Sequence, residues 1–305
     1  GCSEPPSDLL IAPMEHLVET NHLVRFARQA IVVLLLVFCE FLNSAWADPL
    51  VVGVFPRRDA AVTAKLFRPL AQHLEKQLDR KVKLELSPTF EVFLKRLKER
   101  RYDLVHLNQF EYINANKELD YIVIAQNEEF GERTIRGALF VRKDSGISNT
   151  SQLKDKKILF GGGPRAMMSY IVPTYLLRQR GLMEGDYTET YASNPPNAVL
   201  ATFQKQADAG GAGEVVARLP LVKKKIDVSE MTALAVSEPL PHLPWAVKQE
   251  MDEDLKGKIT DLLLGLKNSP EGKKILKSAR LSAINPASDA EYDSHRVIID
   301  FVYAN

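Results

Sequence analysis

The sequence LVVGVF at residues 50–55 is a short apolar run rich in valine, and it predicts a buried strand. VKLEL (82–86) alternates apolar and charged residues, and YIVIA (121–125) is a second apolar run, so both predict strands. They follow at intervals that leave room for helices between them. The segment after the first run has leucines four residues apart, which is the spacing of one helical face. This alternation predicts an α/β fold with a mainly parallel sheet flanked by helices.

The alternation begins again at GALFVR (137–142) and continues to TALAV (232–236), after which helical segments close the chain. Because no linker separates the two α/β units, we expect two interwoven lobes. Lobe 1 would comprise residues 48–138 plus 238–305, and lobe 2 would comprise residues 139–237. Ligands of open α/β sheets bind beyond the carboxyl ends of the strands, so the expected binding site is the cleft between the lobes.

An export signal precedes these units. Arg25 and Arg28 come before the apolar run AIVVLLLVFC (30–39), which is followed by the small-residue pattern SAWA. A basic flank, a short apolar core and small residues together predict a secretory signal peptide. Residues 1–47 are therefore expected to be cleaved off after Ala47, which places the mature protein in the periplasm. The apolar run is too short to cross a membrane, which needs roughly 20 residues.

Several function classes are excluded by the composition. The only cysteines, Cys2 and Cys39, precede the expected cleavage site, so the mature chain would have no disulfide, thiolate metal site or cysteine nucleophile. Neither an H-E-x-x-H nor a G-x-S-x-G pattern occurs, and the histidines lack ligand spacing. We therefore expect no enzymatic activity, no metal and no cofactor. With 40 basic and 39 acidic side chains, the bulk charge does not favour nucleic acid as a partner.

Eight different short motifs are spread along nearly the whole mature chain. In order they are GVFP (53–56), RPL (68–70), YDLV (102–105), YINA (112–115), FG (160–161), SYIVP (169–173), DAG (208–210) and SEPLP (237–241). Their order and spacing resemble those of the phosphate/phosphite/phosphonate solute-binding proteins of ABC importers. The resemblance implies a type II periplasmic-binding-protein fold whose two lobes close on a small solute, and an ABC permease as the partner.

A sensory role is the alternative to import. In that case the liganded protein would present its solute to a membrane histidine kinase or cyclase. Both roles use the same ligand-dependent closure of the lobes, because binding biases an open–closed equilibrium. In either role we expect a monomer.

The turn GGGP (161–164) is the strongest candidate for an anion site. It leads into a predicted helix, whose first N–H groups are unpaired and attract anions. Arg165 adds a planar fork of donors that fits a carboxylate or a phosphate, and the segment that continues to residue 169 adds the hydroxyl of Ser169. The expected ligand is a small anion, namely a carboxylate, a phosphate ester or a relative of phosphonate. The alternative is that the glycines only turn the chain and that Arg165 is solvated.

The other candidates follow the remaining predicted strands. The full set of expected ligand-binding residues is Phe55, Arg57, Asn108, Gln109, Tyr112, Gly162, Gly163, Arg165, Ser169, Asn197 and Glu214. The amides and the phenol among them can orient a polar solute. For Asn197 a helix cap is the alternative, and for Glu214 an ordinary acid at a helix start. His106 lies inside an apolar strand and is expected to be a buried histidine with its hydrogen bonds satisfied.

Overall fold

The computed structural model describes residue 1, residues 48–58 and residues 60–304. The expected signal peptide and its cleavage site after Ala47 lie outside the described residues, apart from residue 1. None of the helices in the described part of the chain is long and apolar enough to cross a membrane.

Thirteen strands form the framework of the described residues from position 49 onward. They are β1 (Leu50–Val54), β2 (Val82–Glu85), β3 (Leu104–His106), β4 (Tyr121–Glu128), β5 (Thr134–Ile135), β6 (Gly137–Arg142), β7 (Lys157–Phe160), β8 (Thr188–Tyr191), β9 (Ala209–Gly213), β10 (Met231–Val236), β11 (Leu240–Pro241), β12 (Pro244–Lys248) and β13 (Ala283–Pro286).

Nine α-helices are present among the described residues. They are α1 (Ala60–Leu78), α2 (Phe90–Lys98), α3 (Gln109–Leu119), α4 (Val172–Arg178), α5 (Pro195–Phe203), α6 (Pro220–Lys223), α7 (Glu253–Gly265), α8 (Pro270–Ala279) and α9 (Asp293–Tyr303). A π-helical turn at Met167–Ile171 runs directly into α4.

Two sheets define the two lobes, which confirms the predicted two-lobed α/β fold. The first sheet has the order β13-β4-β12-β3-β1-β2, and the second has the order β10-β6-β9-β7-β8. Strand β1 is parallel to β2 and β3, and strand β7 is parallel to β8 and β9. The pairs made by β12, β13, β6 and β10 are antiparallel. Each sheet is thus parallel around the strands whose ends carry the candidate site residues.

The chain passes between the lobes at two short strands that pair with each other. Leu240 of β11 lies opposite Ile135 of β5. Strand β6, which begins at Gly137, belongs entirely to the second sheet, so this sheet starts two residues ahead of the boundary predicted at 138/139. The closing helix α9 packs on α4 of the second lobe, where Phe301 and Tyr175 make an edge-to-face ring contact at 5.2 Å.

The core of the first lobe is built on the apolar face of α1 and on an aromatic stack. Leu70 and Leu74 of α1 are buried against the sheet, as their spacing of four residues predicts. The indole of Trp245 stacks on the His106 ring at a centroid distance of 4.5 Å and donates a hydrogen bond to Asn127 Oδ1. This stack fixes the end of β3, after which the candidate residues Asn108 and Gln109 follow.

Candidate functional site

A cavity of about 440 Å³ lies where the ends of the two sheets face each other. Its walls come from the segments that follow β1, β3, β7 and β8, together with Gly213 and the next two valines. Eight of the eleven expected ligand-binding residues line it, namely Phe55, Arg57, Asn108, Gln109, Gly162, Gly163, Arg165 and Ser169. Its volume falls within the range of roughly 300–1,000 Å³ that is usual for small-molecule sites.

The helix that begins at Met167 presents an open N-terminus to this cavity. No side chain caps it at Ala166, and the backbone N–H groups of Met167, Met168 and Ser169 have no acceptor among the described residues. The Ser169 hydroxyl makes no hydrogen bond with another described residue either, although the residue is buried. Unpaired amide donors at a helix start, together with a free hydroxyl, form a site suited to an oxyanion.

Glycines allow the chain to bring this helix close to the neighbouring segment. A Cβ atom on Gly161 would lie 2.4 Å from the Cα atom of Pro195, so any side chain there would collide with backbone. A Cβ atom on Gly162 would lie 2.8 Å from the Cβ atom of Ala166. The turn after β7 therefore needs glycine for close packing, and the absence of side chains also leaves its backbone accessible to a ligand.

The second helix N-terminus at the cavity, that of α5, is closed to anions. Its first two residues, Pro195 and Pro196, have no N–H group. The N–H of Asn197 donates to Asn194 Oδ1 at 3.0 Å, and the Asn197 side chain donates to the Ser193 hydroxyl at 2.8 Å. Asn197 is not among the residues that line the cavity, and its amide groups serve the capping arrangement of α5, so its ligand role stays a prediction.

Arg165 does not extend a free guanidinium into the cavity. Its Nε and Nη2 atoms donate to the two carboxylate oxygens of Glu111 at 2.6 and 2.7 Å. Glu111 lies on α3 in the first lobe and is only 1% exposed, whereas the Arg165 side chain is 45% exposed and also lies over the Phe110 ring. The guanidinium donors that were expected to bind a ligand anion thus bind the Glu111 carboxylate instead. This ion pair joins the two lobes.

Two other polar candidates are also engaged within the protein. Arg57 is paired with Glu129 at 3.2 Å. Asn108 caps α3 by accepting from the N–H of Glu111 at 2.8 Å, and its Nδ2 donates to the carbonyl of Arg165 at 3.3 Å. These side chains line the cavity, but they mainly position the segments around it.

Gln109 keeps one hydrogen-bonding group unused. Its Nε2 donates to the carbonyl of Pro241 at 3.1 Å, which fixes the orientation of the amide. Its Oε1 is therefore an acceptor, and it is buried without a partner among the described residues. A buried acceptor without a donor costs about 1–3 kcal/mol, which a ligand that brings an O–H or N–H group would recover.

Tyr112 and Glu214 are not among the residues that line the cavity, so a ligand role for them stays a prediction. Tyr112 is fully buried in the core of the first lobe, and its hydroxyl donates to Asp289 Oδ1 at 2.7 Å. Glu214 is half-exposed and lies 3.9 Å from Arg136. By contrast, the prediction of a buried, satisfied His106 is confirmed, since its Nδ1 hydrogen-bonds the carbonyl of Pro244 and its Nε2 accepts from Asn127.

Residues that the sequence did not indicate complete the walls. Phe90 and Glu91, at the start of α2, line the cavity, as do Val215 and Val216 after β9. No sequence motif distinguishes these residues from ordinary core and helix-start residues. In residues 48–58 and 60–304, no group of three or more histidine or acidic side chains is arranged to hold a metal ion.

Residues 52–292 match the family of periplasmic phosphonate substrate-binding proteins of ABC transporters. The chain belongs to this family. The resemblance drawn from the short motifs is thereby confirmed. As a member, the protein is a substrate-binding component of an import system, and this membership does not favour the sensory alternative.

Solved structures share the fold at low sequence identity. PhnD1 from Prochlorococcus marinus, in complex with methylphosphonate, is 19% identical, with a TM-score of 0.71 over 82% of this chain and 96% of its own. A binding-protein component of an ABC phosphonate transporter from Pseudomonas aeruginosa is 18% identical, with a TM-score of 0.72 over 84% and 87%. A Xanthomonas citri protein bound to ATP is 17% identical, with a TM-score of 0.71 over 85% and 99%.

Proposed function

We propose that the mature chain, released by cleavage after Ala47, is a monomeric periplasmic protein that captures a small phosphonate-like anion and delivers it to an ABC permease. The anion would bind at the open N-terminus of the helix that begins at Met167. One observation carries the proposal: the amide groups of Met167, Met168 and Ser169 and the Ser169 hydroxyl are free donors on one wall of the cavity between the lobes.

We further propose that the bound anion retains one proton and that closure of the lobes brings it to Gln109 Oε1, which is shielded from solvent in this structure. The unpaired Oε1 of Gln109 accepts hydrogen bonds and cannot donate them. A singly protonated phosphonate offers oxyanion acceptors to the helix amides and one O–H donor to Gln109. A fully ionised carboxylate would leave Gln109 without a donor, so we propose a phosphonate-type head group over a simple carboxylate. The methylphosphonate bound by the Prochlorococcus relative agrees with a head group of this size.

We further propose that the protein has no catalytic activity. The donors at the cavity are backbone amides and one hydroxyl, and the histidine that lines the adjoining space, His106, is buried between Pro244 and Asn127. None of these groups forms a nucleophile–base pair of the type that group transfer requires. Family membership in a class of substrate-binding proteins supports the same view.

A thermal-shift experiment tests this function. We expect methylphosphonate to raise the melting temperature of the mature protein, because a ligand that binds only the native state stabilises it. Ser169→Ala should lower the affinity by about 1.5–3 kcal/mol, since it removes a hydrogen bond to a charged group.

Ser151→Ala is the matched control, because Ser151 is exposed on the second lobe and lies outside the cavity. It should bind methylphosphonate like the wild type. If phosphonates, phosphate and carboxylates all leave the melting temperature unchanged while neutral or cationic solutes raise it, the proposed anion site is wrong.

A further inference from the structure

A second cavity, of about 640 Å³, adjoins the first. The two cavities share a wall formed by Phe55, Arg57, Val215 and Val216. The second cavity extends from this wall along the first lobe to the end of α8, and it is closed on the other side by the segment of the second lobe that runs to Lys224. The shared wall is mostly apolar, with one arginine beside it.

The lining of this second cavity is strongly cationic. Its basic side chains are Arg57, Arg58, Lys224, Lys273, Lys277 and Arg280. Glu129 is the single carboxylate among the described lining residues, and it is already paired with Arg57 at 3.2 Å. Five positive charges therefore face the cavity without a carboxylate partner among the described residues.

Arg58 distinguishes this cavity from an ordinary lysine-rich surface. The lysines and Arg280 are exposed and solvated, but Arg58 is partly buried, and its side chain has no hydrogen bond or ion pair with any described residue. Burial lowers the pKa of Arg58 to about 10, and repulsion by Arg57 and Arg280 adds to this effect. A partly desolvated cation with two cationic neighbours is destabilised until an anion joins it.

We propose that this cavity holds the second anionic group of an extended ligand. The ligand class would be phosphonates or phosphate esters that carry a carboxylate or a further phosphoryl group at the far end of a short alkyl chain. The phosphonate head would lie at Ser169, the alkyl chain would pass Phe55 and Val215, and the distal anion would pair with Arg58 and Arg280. This inference rests on the proposed function, because it assumes that the first anion binds at the open helix N-terminus.

Isothermal titration with three probes tests the proposal. Propane-1,3-bisphosphonate and 3-phosphonopropionate carry the distal anion, and propylphosphonate is the control of matched chain length. We expect the two bifunctional probes to bind at least about tenfold more tightly than propylphosphonate, which is the effect of one added charge-assisted hydrogen bond. Arg58→Met and Arg280→Met should each abolish most of this difference and leave propylphosphonate affinity within about twofold.

Lys274→Met is the matched control variant, because Lys274 is exposed on α8 but does not line the cavity. It removes the same charge and should keep the preference for the bifunctional probes. The proposal is overturned if those probes bind no better than propylphosphonate, or if Arg58→Met weakens all three equally. Failure of the proposed function gives a different result. In that case propylphosphonate itself would not bind, or its affinity would be unchanged by Ser169→Ala.

Discussion

Replacement of Arg165 by alanine is expected to weaken ligand binding by about 3 kcal/mol, or about 100-fold, through the loss of its ion pair with Glu111. The reason is its partner. Glu111 is 1% exposed, and its carboxylate has no other ion-pair partner among the described residues. Removal of Arg165 leaves a buried, unpaired carboxylate between the lobes. The free energy of burying this charge then destabilises the arrangement of the lobes that binds the ligand.

Double-mutant titration separates this explanation from direct ligand contact. If Arg165 acts through Glu111, Glu111→Gln combined with Arg165→Ala should recover most of the lost affinity, because no buried charge remains. If Arg165 instead contacts the anion, as the sequence suggested, the double variant will bind as weakly as Arg165→Ala alone. That result would show that the Arg165 guanidinium contacts the ligand directly.

The pH dependence of the Arg165→Ala variant gives an independent readout. Burial raises the pKa of Glu111, and Arg165 opposes this rise by its hydrogen bonds and its charge. Without Arg165 the carboxyl should take up a proton more readily, so the affinity of the variant should improve as the pH falls. The matched control is Arg100→Ala, which breaks an exposed pair with Glu250 and should change ligand affinity by less than about 1 kcal/mol at any pH.

The parts of the site that depend on local sequence could be predicted. The glycine turn follows directly after β7, and Ser169 lies in the helical turn that comes next. A strand followed by glycines and a helix indicates both the fold and an anion site. Asn108 and Gln109 were placed at the cavity for the same reason, since they follow β3. In each case the strand end alone determines the position of the residue.

The parts that depend on distant partners could not be predicted. Arg165 meets Glu111 across 54 positions, and Tyr112 is drawn into the core by Asp289 across 177 positions. A helix-start glutamate and a tyrosine one turn into a helix look the same in sequence whether they face a ligand or a distant side chain. The cationic cavity likewise combines residues from the start of α1 with Lys224 and Arg280, which no local pattern connects.

The organisation into lobes was predictable for a similar reason, but the strand pair at the crossing between them was not. The two α/β units repeat a strong local pattern, so their number and order follow from the sequence. The crossing between them depends on the pairing of β5 with β11, two strands of two residues each whose partners lie about a hundred positions apart. Segments this short contain no periodicity that could indicate a strand.

Acidification from pH 7 to pH 5 is expected to lower the free energy of unfolding steeply, by about 2 kcal/mol for each buried neutral histidine. Burial lowers the pKa of His106 to about 3, and that of His242 and of His295 to about 4. In the unfolded chain these groups titrate near their usual pKa of about 6.5. Between pH 6.5 and pH 4 the unfolded state therefore binds more protons than the folded state, so stability is lost as the pH falls through this window.

Replacement of His295 tests the size of this effect away from the ligand cavity. Its Nε2 hydrogen-bonds the carbonyl of Pro241 at 2.9 Å, and its Nδ1 is buried without a partner. Glutamine can retain the donor to Pro241 but cannot titrate, so His295→Gln should reduce the loss of stability between pH 7 and pH 5 by about 2 kcal/mol. Urea unfolding at the two pH values measures this difference.

Thr174→Val is the matched control for that measurement. Thr174 is also fully buried with an unpaired side-chain atom, but it has no group that titrates in this range. The variant should lose as much stability on acidification as the wild type, whatever its stability at pH 7. If His295→Gln keeps the full loss as well, His295 is protonated in the folded state, and its buried Nδ1 must then have an acceptor that becomes available at low pH.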